Sequence, residues 1–87
     1  MHRVVIFSKD GCHLCERAIS ALMELSKSHS LEVHTFEITK DPKVFEKYYL
    51  SIPVVELDGK IVFQASDIDS PDNIERKLSL IVSSFAV

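Results

Sequence analysis

Apolar residues along the chain fall into short β-prone runs separated by stretches with helical periodicity. Arg3-Val4-Val5-Ile6-Phe7 is β-branched and aromatic and leaves no room for a helical repeat, so it predicts a buried strand. From His13 the period changes. Leu14, Ala18, Leu22 and Leu25, with Ile19 and Ala21 beside them, recur at helical spacing, while Glu16, Arg17, Glu24 and Lys27 fall mostly on the other side. The spacing predicts a helix from residue 12 or 13 to about residue 27, broken by Ser28-His29-Ser30. Leu31, Val33, Thr35 or Phe36, and Ile38 predict a second strand. Asp41-Pro42 then supplies a capping side chain and a first-position proline for a short helix carrying Val44, Phe45, Tyr48 and Tyr49. Two more apolar runs, 52–57 and 60–63, flank Asp58-Gly59. That dipeptide is a strong hairpin signal, because a type I′ turn needs positive φ at both central residues. Ser70-Pro71-Asp72 opens a last helix with a cap, a proline and an acidic first turn; its apolar stripe is Ile74, Leu78, Ile81, Val82 and Phe85.

The order βαβαββα predicts an α/β fold. The first βαβ unit implies a parallel strand pair joined by a right-handed crossover, and the hairpin adds an antiparallel pair. Four strands in a mixed sheet with helices on both faces would bury most of the apolar runs. No repeat, low-complexity segment or linker interrupts the pattern, so residues 1–87 are expected to form a single domain near the lower end of comfortable independent folding.

Composition narrows the function classes. Apolar residues make up 46% and charged residues 26%, an ordinary globular mixture. The net charge is −3, and the basic residues never cluster beyond the adjacent pair Arg76-Lys77. Nucleic acid is therefore a poor partner, since phosphate binding needs a concentrated basic surface. The apolar run Val4 to Phe7 is too short for a signal-peptide core, and the run 78–87 is interrupted by Ser79, Ser83 and Ser84. A soluble, cytoplasmic, monomeric protein with no membrane partner is the expectation.

The candidate chemistry lies in the only two cysteines, Cys12 and Cys15, at the junction between the first strand and the first helix. A thiol at a helix N-terminus meets unpaired backbone N–H groups and the positive end of the macrodipole, both of which favour a thiolate. Cys15, one turn into the helix, is expected to be more buried and less nucleophilic. The natural division of labour has Cys12 attack a disulfide and Cys15 resolve the mixed disulfide that forms. A structural bridge fits poorly, because so short a separation closes almost no chain and a reducing cytosol disfavours it. His13 lies between the two. If cationic it would tune the Cys12 pKa; otherwise it is a solvated first-turn histidine. A metal site would need further ligands, and His2, His13, His29 and His34 form no second pair at zinc spacing. A metal-binding or metal-delivery module and an adaptor with vestigial chemistry remain the alternatives to a redox dithiol, although known metal-delivery modules with this motif order their elements βαββαβ.

Phe7-Ser8-Lys9-x-x-Cys12-x-x-Cys15 resembles the opening strand and active-site turn of glutaredoxins, and Ser51-Ile52-Pro53 resembles that family's Thr-Val-Pro. The chain thus looks like a divergent glutaredoxin-like member of the thioredoxin-fold superfamily, over essentially its whole length. The resemblance implies a thiol–disulfide oxidoreductase that exchanges with protein disulfides or glutathione mixed disulfides and is recharged by glutathione or a reductase, with no bound cofactor. It implies that Pro53 is a cis-proline facing the cysteines, leaving the Ile52 backbone open to pair with a peptide or glutathione. It also matches Lys9 to a lysine that contacts a glutathione carboxylate, and Asp67 to the grip on the other end of glutathione. Solvated loop readings of Lys9 and of Ser66-Asp67 stand beside these. Two departures matter. His13-Leu14 replaces the usual Pro-Tyr, and Phe63-Gln64 stands where the family has Gly-Gly, with side chains that would crowd the ligand. Thioredoxin's Trp-Cys-Gly-Pro-Cys is absent, as is any tryptophan.

Overall fold

A computed structural model describes residues 1–68 and 70–85. The last two residues of the 78–87 run lie outside the described part. Strand β1 spans His2–Ser8, helix α1 His13–Leu25, β2 Leu31–Glu37, α2 Pro42–Tyr48, β3 Val54–Leu57, β4 Lys60–Phe63 and α3 Ile74–Phe85. Single 3-10 turns lie at Ile38–Lys40, Ala65–Asp67 and Pro71–Asn73. The sheet order is β2-β1-β3-β4, parallel between β1 and β2 and antiparallel at the other two pairings. This is the mixed four-stranded α/β sheet that the pattern predicts.

Alternation along the strands separates two faces. Val4, Ile6, Leu31, Val55, Leu57 and Phe63 point to one side and form a single core with Ala18, Ala21 and Leu22 of α1 and Ile74, Leu78 and Val82 of α3. On the other side α2 lays Tyr48 on Phe7, ring centroids 4.8 Å apart, and Phe7 in turn meets Phe36 at 5.6 Å. The Tyr48 hydroxyl donates to Glu56 Oε2 at 3.3 Å. Asp58 and Gly59 take positive φ, 51° and 87°, as the hairpin turn requires.

Several boundaries shift, each for a local reason. Helix α1 stops at Leu25, two residues short of expectation. Its last turn tightens as Lys27 N–H bonds Glu24 O and Ser28 N–H bonds Leu25 O, while Ser26 Oγ donates to Met23 O. Ile38 leaves β2 for a 3-10 turn because the Glu37 carboxylate accepts the Thr39 N–H and bends the chain there. Strand β3 begins at Val54 rather than Ile52, since Pro53 has no N–H to offer a ladder. Helix α3 is preceded by a 3-10 turn, with Asn73 N–H bonded to Ser70 O. Phe85 is 48% exposed rather than buried.

Candidate active site

Three strand ends and the loops beside them meet at one edge of the sheet. Phe7 near the end of β1 lies opposite Val54 at the start of β3, and Phe63 at the end of β4 lies opposite Val55. Ala65 N–H donates to the Ser51 carbonyl at 2.9 Å, tying the turn after β4 to the segment before β3. The loop 9–12, the segment 51–53 and the turn 64–67 therefore share one end of the molecule.

The chain passes from β1 into α1 through a tight turn. Cys12 N–H bonds the Lys9 carbonyl at 3.1 Å, and Gly11 takes φ +82°, a conformation that costs glycine little. Cys12 is the N-cap, with extended backbone (φ −89°, ψ 106°), and its Sγ accepts the Cys15 N–H at 3.1 Å. Sulfur here does what a serine or aspartate oxygen does at other helix starts. The two cysteines are joined by a disulfide, Cα to Cα 5.2 Å. Cys12 is half-buried, whereas Cys15 is 1% exposed. A backbone donor and the helix terminus both favour negative charge on Cys12, while Cys15 sits at the edge of the core, where charge is disfavoured.

The other sequence candidates separate into those close to this edge and those turned from it. The Ile52–Pro53 peptide bond is cis. Pro53 is buried and Ile52 is half-buried. Among the described residues neither the N–H nor the carbonyl of Ile52 enters a backbone hydrogen bond. Lys9 is exposed in the loop before Cys12. His13 carries a side chain 96% exposed, with Nδ1 3.8 Å from Glu16 Oε2. Asp67 is on the turn after β4, and its Oδ2 accepts the Gln64 N–H at 2.9 Å as part of a capping box. Asp67 also borders a cavity of about 300 Å³ with Val62, Phe63, Lys77, Leu80 and Ile81, between β4 and α3; neither cysteine lines it. Phe63 is 1% exposed with its ring in the core. Of Phe63-Gln64, Phe63 is buried and lines that cavity from the core side, whereas Gln64 is half-buried on the turn after β4.

Two charged residues, Arg17 and Glu37, make long-range ties that local patterning does not predict. Arg17, on α1, grips Glu75 of α3 through Nη2 (2.7 Å) and Nε (3.1 Å), with Asp72 3.8 Å away. The bond to Glu75 raises the Arg17 pKa, and the same bond lowers that of Glu75. Glu37, at the end of β2, accepts Asp10 N–H on Oε1 at 2.7 Å, and Thr39 N–H and Oγ1 on Oε2 at 3.2 and 3.0 Å. These bonds, that from Thr39 N–H foremost, hold its carboxyl below the ordinary carboxylate range. Helical spacing puts Arg17 on a polar face but cannot say what it meets, and Glu37 reads only as the polar end of a strand.

Residues 3–79 match the family model described as glutaredoxin-like domain (DUF836). The chain belongs to that family. No curated protein matches its sequence. Among solved structures, a Nitrosomonas europaea protein determined by solution NMR is similar at TM-score 0.69 and 23% identity, covering 93% of this chain and 91% of its own. The oxidised thioredoxin of Plasmodium falciparum is similar at TM-score 0.68 and 19% identity, covering 99% and 82%. A mutant thioredoxin from Halobacterium salinarum is similar at TM-score 0.62 and 16% identity, covering 99% and 75%. These likenesses establish a thioredoxin fold for the glutaredoxin-like domain. That fold, the family and the Cys12–Cys15 pair together suggest redox-type function. Among the described residues no group of three or more His, Cys, Asp or Glu is placed to hold a metal ion, and no helix is long and apolar enough to cross a membrane.

Proposed function

We propose that this glutaredoxin-like domain is a thiol–disulfide oxidoreductase. The observation that carries the reading is the asymmetry of the pair: Cys12 Sγ at the surface accepts a helix N-terminal N–H, and Cys15 is buried one turn behind it. In the reductive direction the Cys12 thiolate attacks one sulfur of a substrate disulfide. The substrate S–S bond breaks, its second sulfur leaves as a thiolate that takes a proton from solvent, and a mixed disulfide joins substrate to Cys12. The Cys15 thiol loses its proton and attacks Cys12 Sγ, which releases the substrate as a second thiol and closes the Cys12–Cys15 disulfide. Substrate gains two electrons and the dithiol loses two. An external thiol, glutathione or a dithiol reductase, restores the reduced pair.

The N–H and carbonyl of Ile52, which enter no backbone hydrogen bond among the described residues, support a role in lining up an extended substrate backbone next to Cys12. The exposure of Lys9 in the loop before Cys12 supports a contact with a carboxylate of glutathione or of a peptide. Asp67 retains one carboxylate oxygen beyond its cap and is the weaker contact of the two. His13, in solvent beside Glu16, acts on Cys12 only through its charge. The substrate class is a protein disulfide or a glutathione mixed disulfide, met as a monomer in a reducing compartment such as the cytoplasm.

The test compares the reduced protein on a small glutathione mixed disulfide and on a protein disulfide, with either glutathione or a dithiol reductant as the electron source. Turnover of either is expected to disappear in Cys12→Ser, and Cys15→Ser should accumulate a substrate adduct on Cys12. Full retention of turnover in Cys12→Ser would remove the proposal. Activity on the small substrate makes glutathione the donor; activity on the protein disulfide alone, sustained only by a dithiol reductant, assigns the donor to a reductase.

A further inference from the structure

A carboxylate at the end of β2 ties the loop that presents Cys12 to the neighbouring strand. Strands β1 and β2 run parallel with Ser8 opposite Glu37, so the last residue of β2 lies level with the start of the loop. From there the Glu37 side chain reaches across and takes the Asp10 N–H at 2.7 Å, the shortest of its three bonds. Its other oxygen is held by both donors of Thr39, which fixes the direction of the carboxylate. Asp10 is followed by Gly11 at φ +82° and by Cys12 at the N-cap. Anchoring Asp10 thus limits the two hinges that decide whether Cys12 Sγ meets the Cys15 N–H.

We propose that Glu37 is a positioning residue for the dithiol: by holding Asp10 N–H it fixes the loop in which Cys12 serves as N-cap, and so sustains the thiolate. The proposal rests on Cys12 being the exchanging nucleophile, but it is read from the Cys12 thiol itself and needs no substrate. Its physical basis is order. A charge-assisted hydrogen bond to a backbone N–H is among the stronger neutral-to-ion contacts, and a loop without it samples conformers in which the sulfur loses its donor. The carboxylate charge by itself would act oppositely, since a negative group near a thiolate disfavours it. The two effects can therefore be separated by substitution.

The experiment measures the pH dependence of Cys12 alkylation in the reduced full-length protein, comparing wild type with Glu37→Gln and Glu37→Ala. Gln removes the charge and keeps one oxygen for Asp10 N–H, while its amide nitrogen replaces the oxygen that the Thr39 donors hold. It is expected to alkylate faster than Glu37→Ala near neutral pH. Ala removes the acceptor and is expected to alkylate about threefold to tenfold more slowly than wild type near neutral pH, with the Cys12 titration displaced upward. An unchanged Ala profile, or equal downward displacement in both variants, overturns the proposal. Amide exchange of Asp10 in the wild-type protein is a second readout that requires no variant to fold. Slowing by about tenfold or more relative to an open chain is expected, and exchange at the open-chain rate contradicts the anchor. Loss of disulfide turnover with these Glu37 results intact would reject the oxidoreductase reading and leave the positioning role standing.

Discussion

The two faces of the sheet are covered unequally, and the dithiol belongs to the heavier one. On one face two helices of twelve and thirteen residues enclose a continuous apolar core that includes Val4, Ile6, Leu22, Leu78 and Val82. On the other a seven-residue helix lays an aromatic cluster of Tyr48, Phe7 and Phe36 on the sheet, and Ile61 stays 47% exposed. Helix α1 packs on the core through Ala18, Ala21 and Leu22, while its N-cap Cys12 belongs to the loop before it. A single helical turn thus leaves Cys15 buried and Cys12 half-buried. The pair is unequally buried because its helix packs on the core behind Cys15 and begins from a loop at Cys12.

Removing packing from each face tests this inequality. Leu22→Ala, on the α1 side, should cost about 2–5 kcal/mol, because the site is fully enclosed and collapses poorly around a cavity. Phe36→Leu, on the α2 side, should cost about 1 kcal/mol, since it forfeits mainly one tilted aromatic contact. Urea denaturation of both variants checks the ratio, and equal losses would mean that the thin face contributes as much as the thick one.

A smaller effect probes the surface tie between α1 and α3. The Arg17 bond holds the Glu75 carboxyl below its ordinary value of 4.5. A depressed carboxyl contributes stability that is complete above the unfolded-state value and is lost as pH falls through the folded one. Glu75→Gln should therefore flatten the acid limb of the stability profile below about pH 4.5. Near neutral pH the variant should differ from wild type only slightly, and less at high salt, because both groups face water. Parallel acid limbs in the two proteins would show that the tie contributes nothing.

Most of the fold was legible because each element carried its own local signal. The Asp58-Gly59 turn, the Asp41-Pro42 helix start and the aliphatic stripe of α1 all lie where their residues indicate. The place of Cys12 and Cys15 was equally legible, since a short motif at a strand–helix junction marks it. What escaped depends on long-range register. Glu37 meets Asp10, twenty-seven positions away, only because β2 lies beside β1. Arg17 meets Glu75 only because α1 and α3 share a face. The side-chain directions at Phe63 and Asp67 were hidden for a related reason. The pleat sends Phe63 inward, and a local cap takes one Asp67 oxygen.

The most direct test of the central claim is the alkylation of each cysteine in the fully reduced protein as a function of pH, read separately by peptide mass. Cys12 is expected to react well below the pH at which an ordinary thiol does, while Cys15 stays protected until the protein unfolds. Equal labelling of Cys12 and Cys15 at mildly acidic pH, with no disulfide exchange, would contradict the account.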